Sequence, residues 1–278
     1  MKISVTTDYF GSTGSPEPNM KAIAKAGFTH LHWCHQWNTD FYYGEAEIAQ
    51  IREWLKEYSL ALQDIHGSVG PEKNWFSSVE YQRKAGVELV ANRMKMLRAL
   101  DGTGTVIMHI PAIYYGSAPL QEETQRKLVV NLRRSLDELM PLSRELDVPI
   151  AVENMPNDTF AIIDELLADY PPEFLGLCYD SGLGNLFQCQ GLDNLERNKN
   201  RLIAMHLHDN DGLGDLHQPP FYGTLNWERL AEIIKSSSYS REISFEIVSK
   251  NTPLARNLDA FIDDAYSRCA RFTRMVKG

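Results

Sequence analysis

The stretch Pro149-Ile-Ala-Val-Glu153-Asn-Met-Pro156 is a short apolar run that ends on a carboxylate. Burying an unpaired carboxylate is costly, so a strand that finishes this way calls for a cationic partner. Three later segments repeat the design: Leu175-Gly-Leu-Cys-Tyr-Asp180, Leu202-Ile-Ala-Met-His206-Leu-His208-Asp209 and Ile243-Ser-Phe-Glu246-Ile. Four strand ends therefore direct Glu, Asp, His and Glu at one place.

Working outward, runs rich in β-branched and aromatic residues alternate with segments of helical periodicity, the pattern of βαβ units around a parallel sheet. The expected strands are Lys2–Thr7, Phe28–Cys34, Leu60–His66, Thr105–Ile110, Ile150–Glu153, Leu175–Tyr179, Leu202–His208 and Glu242–Val248. Helices are expected at about Asn19–Ala26, from Glu45, and at about Val79–Leu100, Glu122–Leu146 and Ala161–Asp169. Further ones are expected in the charged segment before strand seven, from Asn226, and at the C-terminal end. Leu128, Leu132, Leu136 and Leu139 fall on one face of the fourth, and Leu258, Phe261, Ile262, Ala265 and Cys269 on one face of the last. Eight strands and eight helices in strict alternation predict an α/β fold, a single (β/α)₈ TIM barrel spanning residues 1–278 as one domain.

The bulk properties bound the partners. A formal charge of −9 argues against nucleic acid and anionic membranes, which ask for a basic face. No charged-then-apolar leader opens the sequence and no run approaches a membrane span, so a cytoplasmic protein is expected, its oligomeric state open, a homo-oligomer included. Cys34, Cys178, Cys189 and Cys269 are widely spaced with no Cys-x-x-Cys pair, which reads as free buried thiols.

Catalytic groups of such barrels sit at the C-terminal strand ends. That rim collects His66 (strand three), His109 (four), Glu153 (five), Asp180 (six), His206 and His208 (seven) and Glu246 (eight). Parity agrees: Ala151 shares a face with Glu153, and Ser244 with Glu246. Carboxylates and imidazoles crowded into a dry cup would raise each other's energy as free ions. A divalent cation resolves this, and the mixed ligand set suits Mn, Zn, Co, Fe or Mg better than Ca; a hydrogen-bonded polar rim is the alternative. His30, His32 and His35 receive no metal role. Asp215 and His217, in the Gly- and Pro-rich exit of strand seven, form an acid and imidazole pair that is either a solvated loop pair or a further metal or substrate contact. Trp33, Trp37, Trp75, Tyr114 and Tyr115 lie near strand exits, where they stack on a sugar ring or merely cap the barrel. Arg201, Lys250 and Arg256 read as solvated surface charges.

The run Val-Glu153-Asn-Met-Pro, then Cys-Tyr-Asp180-Ser-Gly-Leu-Gly-Asn, Met-His206-Leu-His-Asp209-Asn, Asp215-Leu-His217 with Gly223-x-x-Asn-Trp227, and Phe-Glu246-Ile, resembles the xylose isomerase-like TIM barrels. That superfamily holds sugar phosphate isomerases and epimerases, ketose 3-epimerases, inosose dehydratases and endonuclease IV. The resemblance implies that Glu153, Asp180, His206 and Glu246 hold one divalent metal, with His208 an alternative ligand or substrate contact. It also implies that Glu153 and Glu246 exchange a proton on the α carbon of a carbohydrate through a metal-stabilised enediolate. The endonuclease branch uses three metals, for which His66, His109, Asp215 and His217 are counterparts. The sequence departs from both branches at Leu183, where an imidazole commonly follows the strand-six Asp by three residues. The expected activity is thus a metal-dependent sugar or polyol isomerase or epimerase. An endonuclease IV-like phosphodiesterase, an inosose-type dehydratase and a barrel that binds sugar without catalysis are the alternatives.

Overall fold

The protein is described by a computed structural model covering residues 1–11, 14–112, 121–156, 160–188 and 190–278. Eight strands are present: β1 (Ser4–Thr6), β2 (His30–Trp33), β3 (Ala61–His66), β4 (Val106–His109), β5 (Ile150–Glu153), β6 (Leu175–Asp180), β7 (Leu202–His206) and β8 (Ser244–Phe245). All pair in parallel in the order β7-β6-β5-β4-β3-β2-β1-β8. Leu207 closes the ring, donating its N–H to Ser244 O at 3.1 Å and accepting from Glu246 N–H at 3.2 Å. The result is the expected (β/α)₈ barrel.

Nine α-helices lie among the described residues: α1 (Glu17–Ala26), α2 (Glu45–Glu57), α3 (Glu80–Ala99), α4 (Glu122–Leu146), α5 (Phe160–Asp169), α6 (Ser181–Asn185), α7 (Gly191–Asn198), α8 (Trp227–Lys235) and α9 (Leu258–Lys277). Local chemistry sets their ends. Pro18 occupies the first turn of α1, where a missing N–H costs nothing, and Gly27 closes it at φ 106°. Glu47 accepts from the Gly44 N–H ahead of α2; Asn226 and Asn257 accept from the first turns of α8 and α9.

The helix count and several strand lengths depart from expectation. The link between β6 and β7 carries two helices, α6 and α7, rather than one, so alternation is not strict. Backbone contact explains the break: Gly191 packs so closely on Gly184 that a Cβ there would lie 2.4 Å from its carbonyl oxygen. Strands one, two, four, seven and eight are shorter than expected, β1 spanning Ser4–Thr6, β7 stopping at His206 and β8 spanning two residues.

Nearly every strand residue is buried, as befits a sheet covered by helices outside and packed inside. Leu132, Leu136 and Leu139 of α4 and Phe261, Ile262, Ala265 and Cys269 of α9 supply the outer layer, with Leu128 and Leu258 half-buried beside them. The interior is divided. On the side of β4 to β7 a small apolar layer of Ile107, Ala151, Cys178 and Ala204 lies directly below the rim. On the side of β8 and β1 to β3 the strands carry buried polar residues instead, Ser4, His32, Asp64 and Ser244. Cys34, Cys178 and Cys269 are free and buried; Cys189 lies outside the described residues, as do Tyr114 and Tyr115.

Candidate active site

Two register shifts shape the rim. Between β6 and β7 the pairing steps from Leu177–Leu202 to Cys178–Ala204, which resets parity so that Asp180 stands opposite His206. Between β2 and β3 it steps from Leu31–Leu62 to His32–Asp64. Irregularities of this kind re-aim side chains beside functional sites.

The four strand-end residues singled out from sequence converge. One ligand atom each from Glu153, Asp180, His206 and Glu246 all lie within 4.8 Å of one another. His206 Nδ1 is 2.6 Å from Glu153 Oε1 and 3.1 Å from Glu246 Oε2. Asp180 does double duty, capping α6 by accepting from Leu183 N–H at 2.7 Å. Asn154 fixes it from β5, its Nδ2 donating to Asp180 O and its Oδ1 accepting from Asp180 N–H.

His66 and His109 flank the other side of Glu153. Their Nε2 atoms stand 3.8 and 3.2 Å from Glu153 Oε2, and Trp37 covers both rings with centroids 4.7 and 5.3 Å away. His208, Asp215 and His217 form a second cluster whose ligand atoms also lie within 4.8 Å. It abuts the first through Asp180, whose carboxylate is 3.0 Å from His208 Nε2. The strand-seven exit thus places an imidazole against Asp180 although residue 183 is a leucine. Gly182 makes room for it: a Cβ there would meet the His208 ring at 1.9 Å.

These contacts set the protonation pattern. Burial pushes the Glu153 carboxyl up, but His206 and His109 pull it well below the usual carboxylate range. Glu246 is also lowered, burial being outweighed by His206 and His217. Asp180 is raised by burial, which His208 offsets only in part. His206 is driven to about 10, desolvation losing to Glu153 and Glu246. His217 also reaches about 10 against desolvation, through Asp215. His66, by contrast, falls to about 3 through burial and the neighbouring His109.

A cavity of about 550 Å³ opens over the β1 and β8 side, lined among others by Asp8, Cys34, Trp37, His217, Glu246 and Lys250. Trp33 and Trp75 do not reach it as stacking platforms: both are buried, donating to Tyr43 Oη and His109 O respectively. Arg201 is no free surface charge either, since it donates to the carbonyls of Leu167, Tyr170 and Leu175. Residues that the sequence left unassigned also border the site. Cys34 Sγ lies 3.5 Å from Glu246 Oε1. Asp8 is raised to about 7 by burial, with Glu246 adding to the rise. His32 is buried with its ring centroid 4.4 Å from that of His206. Only strand parity could have flagged His32, because its contacts come from other strands.

The cup suits a divalent cation. Several buried carboxylates meet imidazoles, and without a cation Glu153 and Glu246 hold a proton on His206 that a cation would replace.

Comparison with known proteins bears on this geometry. A family described as "Xylose isomerase-like TIM barrel" matches residues 20–264. The protein y4fM of Sinorhizobium fredii is 30% identical over 283 residues, covering 93% of this chain and 88% of its own. Among solved structures, a D-tagatose 3-epimerase-like protein superposes with a TM-score of 0.79 at 23% identity, over 99% of this chain and 98% of its own. A D-psicose 3-epimerase in the presence of D-fructose gives 0.78 at 18% identity over the full length of both. At these identities the structural likeness carries the fold alone.

Proposed function

The chain belongs to the xylose isomerase-like TIM barrel family, and from that premise we propose that it is a metal-dependent sugar or polyol isomerase or epimerase acting by α-proton transfer. The observation that carries the reading is the convergence of Glu153, Asp180, His206 and Glu246 on one buried point. The solved epimerases with the same fold support it.

In this reading Glu153, Asp180, His206 and Glu246 hold one divalent ion, Mn, Zn, Co, Fe or Mg. A bound ion would supply a Lewis acid for negative charge developing on substrate oxygens. Glu153 and Glu246 are the proton-transfer pair: each carboxylate is held ionised by imidazoles, so each can accept a proton from one face of the substrate carbon and return it. The enediolate formed on deprotonation is common to isomerisation, epimerisation and the first step of an inosose-type dehydration. Trp37 and the apolar wall of the cavity limit water around the reacting carbon. The cavity volume accommodates a monosaccharide, and Asp8, His217 and Lys250 offer polar contacts to its hydroxyls. The chain spans a single barrel domain, residues 1–278, and no helix among the described residues is long and apolar enough to cross a membrane.

The test is solvent deuterium exchange at the α carbon, screened on ketoses and inososes with the wild type. Glu153→Gln and Glu246→Gln should each abolish incorporation; exchange surviving in both removes the proton-transfer role.

A second reading has its own observation. The groups His66–Glu153–His206 and His208–Asp215–His217 each place three ligand atoms within 4.8 Å, as a trinuclear phosphodiesterase of the endonuclease IV type would require. Elemental analysis separates the two: three ions per chain favour the phosphodiesterase, one favours the isomerase.

A further inference from the structure

Resting on the metal-holding role proposed for His206, we infer that His32 and Asp64 are positioning residues. Asp64 fixes the tautomer of His32 so that His32 Nε2 accepts from His206 Nε2–H, leaving His206 Nδ1 as a lone-pair donor toward the carboxylates.

His206 presents Nδ1 to Glu153 and Glu246, so a neutral His206 that ligates through Nδ1 carries its proton on Nε2. That nitrogen is buried and has no hydrogen-bond partner. A buried N–H left in this state is destabilising, because it has given up water without gaining an acceptor. The adjacent ring is His32, 4.4 Å away between centroids and inclined at 54°. Its Nε2 is likewise buried and without a hydrogen-bond partner. Its Nδ1 lies 2.6 Å from Asp64 Oδ1, and an ionised carboxylate only accepts, so the neutral ring carries its proton on Nδ1 and leaves Nε2 as the acceptor. One orphan donor and one orphan acceptor are therefore carried on adjacent buried rings. One ring nitrogen each of His32 and His206 and a carboxylate oxygen of Glu246 lie within 4.8 Å of one another.

The backbone is built for the pair. The β2–β3 register shift places Asp64, rather than Gln63, opposite His32. Gln63 donates from Nε2 to Glu242 O at 3.0 Å and, at 3.4 Å, to Asp64 Oδ2, the carboxylate oxygen not used by His32. Ligating imidazoles generally hand their second N–H to a carboxylate, carbonyl or water, which orients the ring and raises its basicity. Here the partner is a second imidazole with the carboxylate one step further away, and both are supplied from the opposite wall of the barrel.

The experiment compares Co²⁺ binding to wild type, His32→Asn and His32→Gln, read by chelator competition and by the visible ligand-field bands. Folding of each metal-free variant is checked by circular dichroism. The two amides differ in reach: the glutamine oxygen extends to the position of Nε2, whereas the asparagine stops at that of Nδ1. His32→Asn should weaken Co²⁺ binding about 10- to 100-fold and shift the bands, while His32→Gln should stay close to wild type in both. Wild-type affinity and bands in His32→Asn overturn the inference, as does a His32→Gln as weak as His32→Asn, which would assign the loss to packing. Nitrogen-15 NMR of the wild-type histidines with Zn²⁺ decides independently of either variant's folding: a His32 protonated on Nδ1 supports the relay, and one protonated on Nε2 overturns it. A wild type that binds neither ion overturns the metal-holding reading itself and this inference with it.

Discussion

Glu153 Oε1 and His206 Nδ1 lie 2.6 Å apart inside the rim, although β5 and β7 are separated by a whole strand. Two residues before each rim residue on the same strand stand Ala151, Cys178 and Ala204, which pack together as a small apolar cluster with Ile107.

Because His206 is raised to about 10 in the metal-free protein, an ion that binds Nδ1 must displace a proton at neutral pH. His66, lowered to about 3, has none to give. The apparent affinity for Mn²⁺ or Co²⁺ should therefore climb about tenfold per pH unit between pH 6.5 and 9, with about one proton or more released per ion. Calorimetry in two buffers of different ionisation enthalpy measures the release. Binding without proton release would remove His206 from the ligand set.

Gly182→Ala should loosen the second cluster. The new Cβ would meet His208 Cε1 at 1.9 Å and Nδ1 at 2.3 Å, and the ring has no free side to retreat to, since His217 stacks on it at 4.0 Å with planes 9° apart. We expect a loss of about 1–3 kcal/mol from overpacking and a rise in the Asp180 carboxyl, already raised, as His208 withdraws. Thermal unfolding checks the first and isotope-edited infrared spectroscopy the second. An unchanged melting temperature would show that His208 is not held where the contacts place it.

Asp8 carries a pH signature of the opposite sense to Glu153. Its folded value is near 7 and its ordinary value 3.8, so between these the folded state binds the extra proton and stability falls as pH rises, reaching its full cost above pH 7. Asp8→Asn keeps an oxygen for the Thr7 hydroxyl, 3.1 Å away, while removing the titration. The variant should gain on the order of 2–4 kcal/mol relative to wild type between pH 4 and pH 8. Denaturant unfolding at the two pH values tests this, and a difference independent of pH would refute it.

The legible part of this molecule was what repeats along the chain. Each strand announces itself by a β-branched or aromatic run, and parity alone puts Glu153, Asp180, His206 and Glu246 on the inner face. His32, Asp64 and Asp8 are not legible because their roles come from neighbours on other strands: His32 meets Asp64 through a register shift, and Asp8 feels Glu246 across the β1–β8 pair. The second helix between β6 and β7 escaped for a related reason. The break rests on backbone contact between Gly184 and Gly191, for which periodicity has no signal. The resemblance places an imidazole against Asp180 from position 183, at a fixed distance along the chain, whereas here it comes from the next strand's exit as His208.

A last expectation concerns a hydrogen-bonded line from the helical shell to the rim. Arg83 is buried and donates from Nη1 to Ser135 Oγ at 2.9 Å; Ser135 Oγ donates to Trp75 O at 2.5 Å; Trp75 Nε1 donates to His109 O at 3.1 Å. Ser135→Ala would leave one guanidinium N–H and one carbonyl unpaired in the interior, at about 1–3 kcal/mol. For a barrel of this size that corresponds to a fall of several degrees in melting temperature, on the order of 2–4 °C per kcal/mol. Arg83 keeps its carboxylate partners Glu80 and Glu138, and Trp75 keeps its bond to His109, so the rim should be preserved and Co²⁺ affinity nearly unchanged. Calorimetric melting with parallel Co²⁺ titration measures both. A large drop in Co²⁺ affinity at wild-type stability would instead mean that Ser135 sets the position of His109, and through its 3.2 Å approach to Glu153, the cup itself.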